Sequence, residues 1–454
     1  MTHLVAIIDA GKPGDRLPSV RELMADLGVS PTTVRAAVSE LVRAERVEAV
    51  SGSGTFILAA RCQSVEHEAD QSWQTAALGP HHLDIEFPGP LRSTPTADTI
   101  DLASGYPDTT LHPRALVTKA MRDAARRPGT HGRAPSEGIE PLRSWFADEL
   151  HPRRPHEILI TSGGQAALSL IFRSLAFPGD TVVMESPTYI GAIASARAAG
   201  LTTVATPMDD DGLRVDRLAA VIESTGARLL YVQPRFHNPT GAHLAASRRG
   251  PLMDLARERG LIIVEDDWLV DLDDTATRLA PLAAGDSDGH VVHVRSLSKS
   301  VAPAMRIAAV ASQGAIAERL RAMRSVEDFF VSPILQETAL NVITSPAWQR
   351  QLRALREELS VRQAALRSAL TDLGPWGSEP RGGPLHLWVR TSNGIDAAAF
   401  RDAALRHGVS IVAGNQWFPS DPAPGFVRFS NASATTPQIV EAAKRLRPAL
   451  ATLQ

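Results

Sequence analysis

Cysteine is almost missing from these 454 residues: Cys62 stands alone. That excludes an intrachain disulfide and a cysteine-cluster metal site, and it suits a reducing cytoplasm. No apolar run approaches the roughly 18 residues of a membrane span. The short apolar run within residues 1–10 has no cationic lead, so a secretory signal is not expected either. No internal repeat is present. Neither sign of charge is in excess, since 47 Lys and Arg against 50 Asp and Glu leave a net charge of −3. Any nucleic-acid function must therefore rest on a local site. What is plentiful is ordinary: 44% hydrophobic and 21% charged residues describe a soluble globular protein, long enough for two or three folded units.

Residues 14–58 hold the first compact signal. Ser19 can cap a helix running to about Leu27, where Gly28 breaks it. Ser30-Pro31 is a second helix start, with proline at the first helical position. Val34, Ala37, Val38 and Leu41 then form one buried stripe, opposite a face of Thr32, Thr33, Arg35, Ser39 and Arg43. Two short helices about a tight turn, the second offering small polar groups and an arginine, fit a helix-turn-helix entering a major groove. Val47-Glu48-Ala49-Val50 and Thr55-Phe56-Ile57-Leu58 flank Ser51-Gly52-Ser53-Gly54, a small hairpin that would be the wing.

Gly14-Asp15-Arg16-Leu17-Pro18-Ser19-Val20-Arg21-Glu22-Leu23, Leu27-Gly28-Val29-Ser30 and Gly52-Ser53-Gly54-Thr55-Phe56 together resemble the DNA-binding domain of GntR-type bacterial regulators. The resemblance implies double-stranded DNA as partner and Arg16, Ser19, Arg21, Thr32, Thr33, Arg35, Ser53 and Gly54 as its contacts. Two departures stand out. The lead-in helix is short, and to Leu58 there are six Lys or Arg (Lys12, Arg16, Arg21, Arg35, Arg43, Arg46) against seven acids (Asp9, Asp15, Glu22, Asp26, Glu40, Glu45, Glu48). With no basic excess, phosphate attraction by one copy is modest and useful affinity calls for a dimer. A winged helix used for protein contacts is the alternative.

Residues 59–99 dissolve into polar residues and prolines and read as a linker. From Ile100 onward short apolar strands alternate with amphipathic helices, so residues 100–454 are expected to form an α/β domain with a central, mostly parallel sheet, and residues from about 345 a smaller subdomain. Each strand ends in a polar turn. Glu157-Ile158-Leu159-Ile160-Thr161 leads to Ser162-Gly163-Gly164, a candidate anion cradle at a helix start. Thr181-Val182-Val183-Met184-Glu185 leads to Tyr189, one of three tyrosines; Leu229-Leu230-Tyr231-Val232 to Asn238; Leu261-Ile262-Ile263-Val264 to Asp266 and Trp268. His290-Val291-Val292-His293-Val294 leads to Ser296-Leu297-Ser298-Lys299-Ser300. A lysine just past a buried strand loses hydration, has its pKa lowered, and can form a Schiff base with an aldehyde. A surface lysine in a polar turn is the bland alternative for that stretch alone. Ligands gather at such strand ends in open α/β sheets. A lysine, a carboxylate, an asparagine, a glycine turn and an aromatic form the set that holds pyridoxal 5'-phosphate (PLP).

The order of Asn238-Pro239-Thr240-Gly241, Ser298-Lys299 and Arg306 resembles fold-type I aminotransferases over residues 100–450. The resemblance implies Lys299 as the residue joined to the cofactor aldehyde and Asp266 on the pyridine nitrogen. It implies Asn238 on the phenolic oxygen and Tyr189 over a ring face. Gly163, Gly164, Gln165, Ser296, Ser298 and Arg306 would hold the phosphate. Tyr106, in Gly105-Tyr106-Pro107-Asp108, lies near the substrate entrance, and Arg428 takes a substrate carboxylate. Trp268 stands where that family has a tyrosine donating to the phenolic oxygen; an indole can donate but cannot titrate. The family's partner-subunit tyrosine is also missing, with His131 or Arg133 as replacements. Outside the linker the whole chain resembles the MocR subfamily of GntR-type regulators, which implies a head-to-tail homodimer whose DNA affinity answers PLP or a small amino compound through aldimine chemistry. An aminotransferase with an accessory DNA-binding domain is the alternative, with full or half transamination left open.

Overall fold

The computed structural model describes residues 1–59, 71–78, 96, 98–150, 153–273, 279–374, 376–392, 394–421, 423 and 425–453. Most of the expected linker, Cys62 included, lies outside them. The chain forms two compact units, residues 1–80 and 81–454.

The first unit is three helices and a hairpin: α1 (Thr2–Ala10), α2 (Val20–Leu27), α3 (Pro31–Arg43), β1 (Val47–Val50) and β2 (Gly54–Ile57). Its helix starts are chemically fixed. Ser19 Oγ accepts the Glu22 N–H while the Glu22 carboxylate accepts the Ser19 N–H; such a cap is worth about 1 kcal/mol. Ser30 Oγ caps α3 by accepting from the Thr33 N–H. Gly28 ends α2 at φ +64°, a left-handed conformation that suits glycine. Leu4, Ile8, Leu17, Leu23, Val34, Leu41, Val47 and Ile57 close the core, with Ala37 and Val38 packed at its edge. The wing pairs Val47 to Val50 with Ile57 to Gly54 in antiparallel register. Within residues 59–99, Ser72–Leu78 form a helix.

The second unit is built on an eight-stranded sheet of β4 (Ile158–Thr161), β5 (Thr181–Ser186), β6 (Thr202–Asp209), β7 (Gly212–Leu213), β8 (Leu229–Val232), β9 (Ile262–Asp266), β10 (Val291–Ser296) and β11 (Ala308–Ala311), after a short β3 (Ile100–Asp101). Their spatial order is β4-β11-β10-β9-β8-β5-β6-β7. The sheet is mostly parallel, as expected, with two strands reversed. β10, β9, β8, β5 and β6 run parallel, while β11 is antiparallel to both β10 and β4, and β7 to β6. Two reversals restore direction, so β4 points the same way as β10. The carboxyl ends of β4, β5, β8, β9 and β10 therefore open on one edge. Strands β4, β8 and β11 are buried at every position, as expected for a sheet covered on both faces.

A smaller sheet of β12 (His386–Arg390), β14 (Val412–Ala413) and β15 (Phe426–Ser430) follows, in the order β12-β15-β14, and a two-residue β13 (Val409–Ser410) pairs in parallel with β3. Ile100 and Leu102 thus share a core with Leu366, Phe400, Phe429 and Ile439. The sequence pattern assigned residues from Ile100 to the start of the larger part; their burial is with its C-terminal end.

Candidate functional site

A cavity of about 590 Å³ opens at the carboxyl edge of the large sheet, lined by Gly164, Gln165, Tyr189, Asn238, Asp266, Trp268, Ser296, Ser298, Lys299, Arg306 and Arg428 together with Tyr106. All the residues expected around Lys299 are brought to it except Gly163, which meets Arg306 directly behind the lining. Lys299 lies three residues past the end of β10. Burial, then the nearby Arg428 and Arg306 guanidiniums, push its ammonium down to about 7 against the pull of Asp266. Its Nζ sits 3.4 Å from the Tyr106 ring centroid and 5.9 Å from that of Trp268. A large share of this amine is neutral and nucleophilic at neutral pH.

Asp266 ends β9. Its Oδ2 accepts from Tyr231 Oη at 2.7 Å and from Gln233 Nε2 at 2.9 Å, which leaves Oδ1 for a ligand. Burial raises its pKa to about 6, and those two hydrogen bonds oppose the rise. Gln233 faces two ways: its Oε1 accepts the Asn238 N–H at 3.0 Å. One side chain thus ties Asp266 to Asn238. The Gln233 N–H in turn donates to Glu185 Oε2 at 2.8 Å, and His237 Nε2 lies 3.4 Å from that oxygen. Burial pushes Glu185 up to about 8 and His237 down to about 3, so near pH 7 the pair is neutral rather than ionic. Tyr231, Gln233, Glu185 and His237 were not singled out in the sequence. Gln233 had a signal, a polar residue at the end of an apolar strand, the same kind of signal that found Asp266.

Two expectations change in detail. The Trp268 indole N–H donates to the Phe236 carbonyl at 3.2 Å, and its ring stacks on His386 at 6.1 Å between centroids. It is therefore a wall of the cavity whose one donor is occupied, not a substitute for a phenolic donor. The Gln165 side chain is also taken: Nε2 donates to Gly191 O at 2.8 Å and Ser195 Oγ at 2.7 Å, while Oε1 accepts the Tyr189 hydroxyl at 3.0 Å. What Gln165 offers an anion is its backbone N–H at the start of the helix Gly164–Leu175. His131 and Arg133, expected to act from the partner subunit, are exposed, and His131 Nε2 lies 2.9 Å from Ala125 O.

The anion cradle is close-packed. Gly163 has φ +93°, and a Cβ there would come within 2.8 Å of the Arg306 guanidinium. Arg306, itself at φ +47°, donates to Ser162 O at 3.0 Å. Holding a non-glycine residue left-handed costs of order 1 kcal/mol or more, a strain characteristic of functional turns. Asn238 Oδ1 and Ser298 Oγ are buried without partners, and buried polar atoms are rarely left so. A guanidinium, free helix N–H groups, two orphaned polar atoms, a carboxylate and a neutral-tending lysine fit PLP, which brings a phosphate, a phenolic oxygen, a ring nitrogen and an aldehyde.

Arg428 lies on β15, buried, donating to Ala103 O at 3.1 Å with Nε unpartnered, and burial lowers its pKa to about 10. It makes no ion pair among the described residues. In the first unit, Arg16, Ser19, Arg21, Thr32, Thr33, Arg35 and Ser53 are all exposed. Arg16 packs on the wing, where a Cβ at Gly54 would strike its Nε at 2.5 Å. The Ser19 and Thr33 hydroxyls are engaged at their helix caps. Among the described residues no group of three His, Cys, Asp or Glu could hold a metal ion, and no helix is long and apolar enough to cross a membrane.

Residues 97–446 match the family model described as aminotransferase class I and II, and residues 6–57 that of bacterial regulatory proteins, gntR family. Among similar proteins is the uncharacterized HTH-type transcriptional regulator YdfD of Bacillus subtilis, 27% identical over 93% of this chain and 89% of its own length. Another is the vitamin B6 salvage pathway transcriptional repressor PtsJ of Salmonella typhimurium, 29% identical over 90% of this chain and 88% of that protein. Among solved structures, LysN, the α-aminoadipate aminotransferase of Thermus thermophilus complexed with N-(5'-phosphopyridoxyl)-L-leucine, is similar with a TM-score of 0.75 and 27% identity, covering 84% of this chain and 98% of that one.

Proposed function

Because the chain belongs to the aminotransferase class I and II family and carries a gntR-type DNA-binding domain, we propose that it is a transcription regulator whose DNA affinity follows what occupies the Lys299 cavity. It is a DNA-binding regulator joined to a PLP-dependent, aminotransferase-like unit, resembling MocR regulators throughout. The observation that carries the regulatory reading is the meeting of Lys299, a neutral-tending amine, with Arg428, a buried guanidinium without an ion pair among the described residues, in one cavity.

Arg306, Ser296, Ser298 and the backbone of Gly163, Gly164 and Gln165 would hold the phosphate. Asp266 would face the ring nitrogen, Asn238 the phenolic oxygen, and Tyr189 a ring face. When bound, PLP supplies an aldehyde carbon that bonds a neutral primary amine reversibly. Desolvation and the two neighbouring guanidiniums keep a large share of Lys299 in the neutral form this needs. Asp266, with one oxygen fixed by Tyr231 and Gln233, presents the other as a stationary negative charge. Arg428 would bind the carboxylate of a small amino compound, with Tyr106 at the cavity mouth, and the compound's own amine would then compete with Lys299. The Trp268 indole cannot exchange a proton with a ligand and already donates to Phe236, which favours reporting occupancy over repeated proton transfer.

On the DNA side, Thr32 and Arg35 of α3, Ser53 and Gly54 of the wing, Arg21 of α2 and Arg16 just before it would read an operator, with the caps Ser19 and Thr33 alongside. A unit without a basic excess binds better in pairs, and the likeness to MocR regulators implies that the pair is a head-to-tail homodimer, working in the cytoplasm. Footprinting upstream of the protein's own gene, with and without PLP and candidate amines, tests this. Protection that depends on both supports the regulator, whereas multiple turnovers on a keto acid with protection unchanged would make it an enzyme.

A further inference from the structure

We infer that the amino compound is an α-amino acid with one carboxylate and a bulky, uncharged, apolar side chain. This rests on the reading that an amino compound binds at Arg428. The cavity does not end at the polar set around Lys299. It continues along Leu168, Ile190, Ala194, Val412 and Trp417, all buried and all members of one apolar cluster. The space exists because the helix Ile190–Ala198 presents only a methyl at Ala194, where a larger side chain would fill it.

This lobe adjoins the anion position. Val412 lies directly opposite Arg428 in the β14–β15 register, and the Trp417 ring centroid is 5.2 Å from the Arg428 guanidinium carbon. Arg428 Nε and Trp417 Nε1 are buried donors without acceptors, at 5% and 3% exposure of their residues. Two unmet donors beside an apolar recess suit a carboxylate whose side chain lies in that recess.

Charge decides what that side chain is. The cations lining the cavity are Lys299, Arg306 and Arg428. Arg306 belongs with the phosphate and Lys299 with the cofactor's aldehyde, so Arg428 serves one carboxylate and no second cation remains among the lining residues for another. A second carboxylate would lie unpaired in a buried site, beside Asp101, whose Oδ1 accepts the Ala103 and Ser104 N–H groups. A cationic side chain would add to a site already carrying two guanidiniums. Three extra buried carbons separate leucine from alanine, a difference of roughly 10- to 100-fold in affinity.

The test titrates the full-length, PLP-loaded protein with L-leucine, L-phenylalanine, L-alanine and L-glutamate, following binding heat and the cofactor's absorbance. L-leucine or L-phenylalanine should act at concentrations at least tenfold below L-alanine and L-glutamate. Ala194→Leu, and the milder Ala194→Val, should narrow that preference over L-alanine by tenfold or more. The wild-type panel decides even where a variant folds poorly. A response led by L-glutamate, or by L-alanine, overturns the inference alone. No response to any of the four overturns the amine-binding reading and the inference with it.

Discussion

Replacing Gln233 with alanine removes one side chain and disturbs two ligand-facing groups. Asp266 loses one of the two hydrogen bonds on its Oδ2, and the Asn238 N–H loses its acceptor. A hydrogen bond to a charged group is worth about 1.5–3 kcal/mol, and a buried donor left alone costs about 1–3 kcal/mol. The Gln233 bond lowers the Asp266 pKa, so its loss moves that value upward from about 6; at about 1.4 kcal/mol per unit the move is roughly one unit or more. At pH 7 the carboxyl then goes from roughly one-tenth protonated to about half. A protonated Asp266 holds a cationic ring nitrogen poorly. PLP retention at pH 7 should fall several-fold in Gln233→Ala and recover toward pH 9, with stability in thermal melts lowered by about 2–4 kcal/mol. Gln233→Glu keeps an acceptor for Asn238 but sets a carboxylate against Asp266, so the pH midpoint should move further up. Equilibrium dialysis of PLP between pH 5.5 and 9, read by absorbance, measures this. An unmoved midpoint in both variants would refute the role given to Gln233.

Trp268→Phe should cost about 1 kcal/mol of stability through the lost bond to Phe236 O, with the bound cofactor's absorbance maximum unmoved; a shifted maximum would mean that the indole N–H reaches the cofactor. Lys299 has a folded pKa of about 7, below its unfolded value of about 10.4, so the unfolded chain holds the extra proton between those limits and stability rises with pH across that window. Lys299→Met should therefore make the cofactor-free protein more stable at pH 7 by about 1–3 kcal/mol, the gain shrinking toward pH 10 in thermal melts. Arg35→Ala, exposed on α3, should weaken specific DNA binding by roughly 1–3 kcal/mol if it reads a base, without altering the melting of the protein.

The parts of the site that a strand delivers directly were legible in the sequence. Lys299, Asp266 and Asn238 each follow an apolar run, and Ser19 and Ser30 announce their helices by cap chemistry that is local in the chain. What was not legible depends on contacts between distant segments. Gln233 matters because β8 lies beside β9, which brings it to Asp266. Trp268 was expected near the phenolic oxygen because it stands where fold-type I aminotransferases have a tyrosine. Its donor was captured by the carbonyl of Phe236, a residue at φ +45° whose backbone turn no local pattern announced. Arg428 reaches Ala103 across 325 positions, and Ile100 pairs with Val409 rather than with the strands that follow it. The mostly parallel sheet expected from alternation is present; what was not legible is that β11 runs antiparallel between β4 and β10, since its composition does not differ from that of a parallel strand.

The most direct test is the affinity of the full-length protein for DNA from upstream of its own gene, measured by fluorescence anisotropy in the PLP-loaded form with and without saturating L-leucine, alongside Lys299→Ala. If cavity occupancy sets DNA affinity, the loaded protein's affinity should change by roughly 5- to 150-fold on adding the amino acid, the span of typical coupling between sites, and Lys299→Ala should not respond. Equal affinity in all of these states, with PLP and amino acid both bound, would contradict it.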